Sequence, residues 1–169
     1  QGKGSVMQKT YVRKHATQMT ASELNVLEIV ARGLCKEILS KNDTEILTVH
    51  AKEQTHRHSR EIEIEKIKSC LRNFNQVVEF SYNYRYNDRR LVVRDSGGIC
   101  LVLSSRCQNV VTVWHNAPSD AHKTLDESDY DRDMRILDFT HDGFCYNGLH
   151  TKDEVIADVI GYIFLGMEN

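Results

Sequence analysis

Proline is almost missing from this chain of 169 residues: Pro118 is the only one. That excludes a proline-rich linker or stalk. Long apolar runs are missing too. None approaches the roughly 20 residues needed to cross a bilayer. No leader with a charged start, an apolar stretch and small residues opens the chain. The expectation is therefore a cytoplasmic protein with no membrane partner. Cysteine is present in odd number, at Cys35, Cys70, Cys100, Cys107 and Cys145, without a Cys-x-x-Cys pair. This argues against a disulfide framework or a zinc ribbon and for reduced, partly buried thiols. Neither sign of charge dominates. The 22 basic and 24 acidic side chains leave −2, less basic than a typical non-specific nucleic-acid binder.

What is present is a globular balance. Hydrophobic residues make up 40% and charged residues 27%, too apolar for a disordered chain. Gln1 to Ser5 reads as the remnant of a cleaved tag, so one domain is expected over residues 7–169. Its centre is about 46–116, followed by an acidic extension, 119–169. The small net charge hides this split. Residues 1–40 carry 6 basic and 3 acidic side chains, +3. Residues 41–118 carry 12 and 9, again +3. Residues 119–169 carry 4 and 12, giving −8. Mild positive charge before residue 119 suits an anionic ligand.

Hydrophobic spacing predicts a helix over Thr20 to Leu39. Leu24, Leu27, Val30 or Ala31, Leu34 and Ile38 form its apolar face, and Thr20 with Glu23 has capping-box spacing. A second helix is expected over Arg60 to Leu71, capped by Ser59, with Glu61, Glu63 and Glu65 near its start. Ile46 to Val49 reads equally as a strand or as a lead-in to a helix. Tyr11 to Gln18 reads as a polar arm or a first helical turn. Four strands follow: Gln76 to Tyr82, Arg90 to Arg94, Ile99 to Ser104 and Val110 to Trp114, with a turn at Asp95-Ser96-Gly97-Gly98. Their short loops favour antiparallel neighbours. Ser119 to Asp133 is expected as an exposed acidic loop with one turn of helix, and Thr151 to Leu165 as a last helix. The fold class expected is thus α+β: N-terminal helices packed on a four-stranded antiparallel sheet, with a C-terminal helix.

Three constellations carry chemistry. The first is His50, His56 and His58 with Arg57 and Arg60. Metal-independent RNA cleavage needs a base for the 2′-hydroxyl proton, an acid for the leaving 5′-oxygen and cations for the phosphorane. Histidine fills either proton-transfer role near neutrality, and arginine grips phosphate with parallel donors. The bland alternative is a solvated charged helix entry. The second set is Arg85, Arg89, Arg90, Arg94 and Arg106, interleaved with Tyr82, Tyr84 and Tyr86. Arginines hold phosphates and tyrosines stack on bases; the alternative is an ordinary exposed sheet face. The third reading, zinc on His50, His56 and His58 with His115 or a cysteine, fits no familiar ligand spacing. His115 otherwise serves the RNA site, and His122, His141 and His150 read as surface residues.

The order of these residues resembles a family. It runs His50-Ala51, an arginine-containing turn, Arg60-Glu61-Ile62-Glu63-Ile64-Glu65-Lys66-Ile67, Val77-Val78-Glu79, Arg90-Leu91-Val92-Val93-Arg94 and Val110-Val111-Thr112-Val113-Trp114. It is similar to small RNase domains of the RelE-like, barnase–EndoU–colicin class, including BrnT-like toxins and the RegB-like phage endoribonucleases of early messengers. The likeness covers about residues 46–116. It implies a helix on a twisted antiparallel sheet and an endoribonuclease that leaves a 2′,3′-cyclic phosphate, with no cofactor and no metal. Under it the catalytic set is His50, His56, His58, Arg60 and Arg94, and the RNA-binding set is Arg57, Arg85, Arg89, Arg90, Arg106 and His115. The implied partners are RNA, messenger above all, and a cognate inhibitor protein. The rival reading is a non-catalytic phage- or plasmid-type protein that holds a host protein or RNA on the same basic face.

Overall fold

The computed structural model describes residues 10–57, 62–116 and 127–139. Within them the chain is α+β, and the sheet has five antiparallel strands rather than the four expected. Helix α1 (Ala21–Leu39) starts at the capping box read from the sequence. Thr20 Oγ1 accepts from the Glu23 amide at 3.1 Å, and the Glu23 carboxylate accepts from the Thr20 amide at 3.0 Å. A single turn, α2 (Asp43–Ile46), and a nine-residue helix, α3 (Val49–Arg57), follow. Helix α4 (Ile64–Asn73) begins four residues later than expected, with Glu63 at its N-cap. Its expected cap, Ser59, lies outside the described residues, as do the C-terminal helix over Thr151 to Leu165 and His122, His141 and His150.

The strands are β1 (Tyr11–His15), β2 (Gln76–Asn83), β3 (Asp88–Arg94), β4 (Ile99–Ser104) and β5 (Asn109–His115), in that spatial order. Strand β1 corrects the reading of Tyr11 to Gln18 as an arm or helical turn. It pairs with β2 from Tyr11 opposite Asn83 to His15 opposite Glu79, and a short 3-10 turn (Ala16–Gln18) follows it. At the β3–β4 turn Gly98 has φ +92°, and a Cβ there would lie 2.0 Å from the Asn116 carbonyl oxygen, so only glycine fits.

Period-two alternation divides the sheet into two faces. Phe80, Leu91, Val93, Leu101, Leu103 and Val113 are fully buried under α1 and α4, whose Leu27, Leu34, Ile38 and Ile67 are also fully buried. The opposite face carries, in register, Arg13–Ser81–Arg90–Ser104 and His15–Glu79–Val92–Val102–Thr112. Both sheet edges are partly covered, which blunts the usual hazard of strand addition. On the β5 side, Leu47 forms a parallel bridge to Val110, and Thr48 N donates to Val110 O at 3.0 Å. Gln54 Oε1 of α3 accepts from Val113 N at 3.0 Å.

On the β1 side, residues 127–139 form a strap. The Asp131 amide donates to Arg13 O at 2.7 Å, and its carboxylate accepts from Arg13 N at 3.1 Å. The buried ammonium of Lys14 reaches the Glu23 carboxylate at 3.0 and 3.1 Å and the Met134 carbonyl at 3.0 Å, which occupies its donors. Ile136 is buried in the core, and Phe139 packs against Phe80 and Tyr82. Of the loop expected over Ser119 to Asp133, residues 127–133 are described: the one helical turn, Glu127–Asp129, is followed by exposed and half-buried residues that cover the edge, and the core plug comes after them. Among the described residues no helix is long and apolar enough to cross a membrane.

Candidate functional site

The residues expected to act together fall into three places. His50 is exposed in the first turn of α3. His56 and Arg57 belong to the last turn of the same helix, and His58 and Arg60 lie outside the described residues. His115 is exposed at the end of β5. Because α3 runs along β5, the His50-Ala51 helix and the Val110 to Trp114 strand lie side by side across some sixty residues of sequence.

The strand arginines are elsewhere. Arg90 and Arg94 lie on β3, two strands and so about 10 Å from β5. They share a face with Val92, as their alternation predicted. Arg90 Nε donates to the buried Asp88 carboxylate at 2.9 Å, while Arg94 is only 9% exposed and opposite Cys100. Arg89 points the other way. It is buried, donates through Nε to the Phe139 carbonyl and stacks 4.9 Å over the Tyr82 ring. Arg85 and Arg106 form a third place, in the turns at one end of the sheet.

A fourth grouping was missed in the sequence. Arg13, His15, Glu79 and Arg90 lie on the polar face, and the strap lays Tyr130 against the first three. The Arg13 guanidinium sits 4.1 Å over the Tyr130 ring, and the His15 ring meets Tyr130 edge-on with centroids 5.6 Å apart. Tyr130 hydrogen-bonds Glu79. Glu79 is opposite Val92 and Arg90 is opposite Ser81, so Glu79 and Arg90 are diagonal neighbours, about 7–8 Å apart in such a ladder. His15 is 2% exposed, and its Nδ1 accepts from the Thr17 amide at 3.2 Å.

Burial sets the electrostatics of this cluster. It holds the Glu79 carboxyl above its ordinary range, and the Arg13 charge and the Tyr130 hydrogen bond offset this only in part. Burial and the Glu79 charge push the Tyr130 hydroxyl up to about 12, so near neutrality it is a donor. A desolvated carboxyl with such partners is a candidate functional group. Its only trace in the sequence was the unusual acid of β2, Glu79, among Val77, Val78 and Phe80. Its other members come from β1, which was not read as a strand, and from the strap, 118 residues beyond Arg13.

Beside the strap is an open groove of about 870 Å³ lined in part by Val12, Gln18, Tyr84, Tyr130, Met134 and Phe139. The buried Nε2 of Gln18 has no hydrogen-bond partner among the described residues. Among the described residues, no three histidine, cysteine, aspartate or glutamate side chains are grouped as a metal site requires. Compared with known proteins, the chain matches no protein-family model, no curated protein and no solved structure.

Proposed function

We propose that the chain is a metal-independent endoribonuclease whose chemistry takes place on the polar face of the sheet. The observation that carries this reading is the grouping of Arg13, His15, Glu79 and Tyr130, with Arg90 on the same face, which supplies a base, proton donors and a cation together. In the proposed step Glu79 takes the proton of a 2′-hydroxyl as O2′ attacks phosphorus. The P–O5′ bond breaks, and the leaving oxygen takes a proton from His15 Nε2 or the Tyr130 hydroxyl. The products are a 2′,3′-cyclic phosphate and a 5′-hydroxyl. Arg13 and Arg90 stabilise the phosphorane. Burial helps the base: a carboxyl held above its ordinary range has more affinity for the proton it must accept.

The test is single-turnover cleavage of one defined RNA in EDTA. Glu79→Gln is expected to lower the rate about 10²–10⁴-fold, the usual contribution of a positioned general base. Arg90→Ala is expected to slow cleavage, and His50→Ala to leave it near the parental rate. If instead His50→Ala or His56→Ala abolishes cleavage and Glu79→Gln does not, the chemistry belongs to the α3–β5 edge. The binder reading has its own support: His50 and His115 stand apart from Arg90 and Arg94, and Arg90 is already engaged by Asp88. A parental protein that binds RNA or a host protein and cleaves nothing would establish that reading instead.

A further inference from the structure

Two turns meet at one end of the sheet, and a buried carboxylate fastens them together. Asp88 is 3% exposed and opens β3, directly after the β2–β3 turn. It accepts from Ser104 Oγ at 2.9 Å, from the backbone amide of Arg106 at 3.1 Å and from Arg90 Nε at 2.9 Å. The β4–β5 turn, which carries Arg106, is thereby tied to the β2–β3 turn. Arg106 Nη1 completes the tie by donating to the Tyr86 carbonyl. The β2–β3 turn is itself fixed. Asn83 Oδ1 accepts from the Arg85 and Tyr86 amides at 2.9 and 3.1 Å, and Asn87 takes a positive φ of 49°.

On this rigid base stand two aromatic rings that the core does not use. Tyr84 is 54% and Tyr86 51% exposed. The Tyr84 ring meets Tyr82 edge-on at 4.9 Å, and the Arg85 guanidinium lies 5.5 Å from the Tyr86 ring. Tyr82, by contrast, is half-buried, turned against Phe139 and Arg89. Two open aromatic rings flanked by Arg85 and Arg106 make a surface for stacked bases and their phosphates. The groove beside the strap has Tyr84 and Tyr130 among its lining residues, so it borders this surface.

We infer that Tyr84, Arg85, Tyr86 and Arg106 form a platform for single-stranded RNA, apart from the residues that would act on the scissile bond. The inference rests on the endoribonuclease reading for the identity of the strand. Rings on a pre-set turn lose little freedom on binding, and stacking accepts any base, so the platform adds affinity with little sequence preference. It also favours an unpaired strand, because a duplex keeps its bases stacked on one another.

The test uses the full chain and a fluorescent 2′-O-methyl oligonucleotide, which has no nucleophile and reports binding alone. Tyr84→Ala and Tyr86→Ala are each expected to weaken Kd roughly tenfold, while the Phe variants stay near the parental value. Arg85→Gln and Arg106→Gln should each reduce the log–log salt slope by about 0.7. Melting curves confirm the fold of each variant. A parental protein that cleaves RNA while Tyr84→Ala with Tyr86→Ala leaves both Kd and cleavage unchanged would overturn the platform and leave the endoribonuclease reading standing. A parental protein that binds the oligonucleotide through these residues but cleaves no RNA supports the platform and removes the nuclease reading. Binding of an RNA duplex as tight as the single strand, or loss of binding in the Phe variants, overturns the stacking argument.

Discussion

The two edges of the sheet are closed by different physics. The β5 edge is covered from about sixty residues away, through neutral groups: the Leu47 bridge, the Thr48 amide and the Gln54 side-chain carbonyl. The β1 edge is covered from more than a hundred residues away and mostly with ionisable groups: Arg13, Lys14, Glu23, Asp131 and, just inside, Glu79 and Tyr130. A neutral edge cover costs little when perturbed and offers little chemistry. Buried charges are costly to leave unpaired, and the same desolvation makes them reactive. The proposed chemistry therefore sits on the β1 side, while the histidine-bearing helix mainly covers an edge.

The sharpest way to break this contrast is Glu23→Ala. It removes the partner of a Lys14 side chain that is only 8% exposed and leaves a buried ammonium with one carbonyl. Urea unfolding should show a loss of about 3–5 kcal/mol. Lys14→Met combined with Glu23→Leu should recover much of it, and a loss below about 1 kcal/mol for Glu23→Ala would mean the pair is not buried as described. Next comes Gln54→Ala, which leaves the Val113 amide without its acceptor. A loss of about 1–2 kcal/mol is expected. If Gln54→Ala costs as much as Glu23→Ala, the two edges are not different in kind.

The smallest effect is a pH slope. Burial raises the Glu79 carboxyl in the folded state. Its burial is therefore tolerated fully below the unfolded value of about 4.5, and that tolerance is lost as pH rises through the folded value. The melting temperature of the parental protein should fall relative to Glu79→Gln as pH rises past the unfolded value and through the raised folded one, then level off. A difference that is flat with pH, or that grows in favour of the parental protein, would remove the argument from burial.

Local signals in the sequence were good guides where the structure is local. The Thr20–Glu23 capping box, the Gly97-Gly98 turn and the short loops from β2 to β5 need only neighbours, and all were legible. Strand β1 was not. Tyr-Val-Arg-Lys-His lacks the apolar alternation of a half-buried strand, because Lys14 reaches a carboxylate and His15 caps the following turn. Ile136 and Phe139 were hidden within an acidic stretch whose charge suggested exposure. The site was hard to read for the same reason. His50, His56 and His58 are close in sequence, whereas Arg13, Glu79, Arg90 and Tyr130 become neighbours only once three strands and the strap are assembled. The arginines show the limit of pattern alone: Arg89 and Arg90 are adjacent, yet strand geometry sends one under the strap and the other to the polar face.

The strap also sets a timetable. On a ribosome β1 is made before its partners: the residue that closes its outer edge, Asp131, follows Arg13 by 118 positions. At a synthesis rate of about 5–20 residues per second, roughly 6–24 s pass between the two. Through that interval even the inner partner of β1 must wait for β2. The first strand thus begins life as an open strand with unpaired amides and carbonyls, the kind of segment that pairs with other nascent chains. The charges of Arg13 and Lys14, which serve the finished protein as anchors, guard the growing one, since like-charged strands resist lying edge to edge.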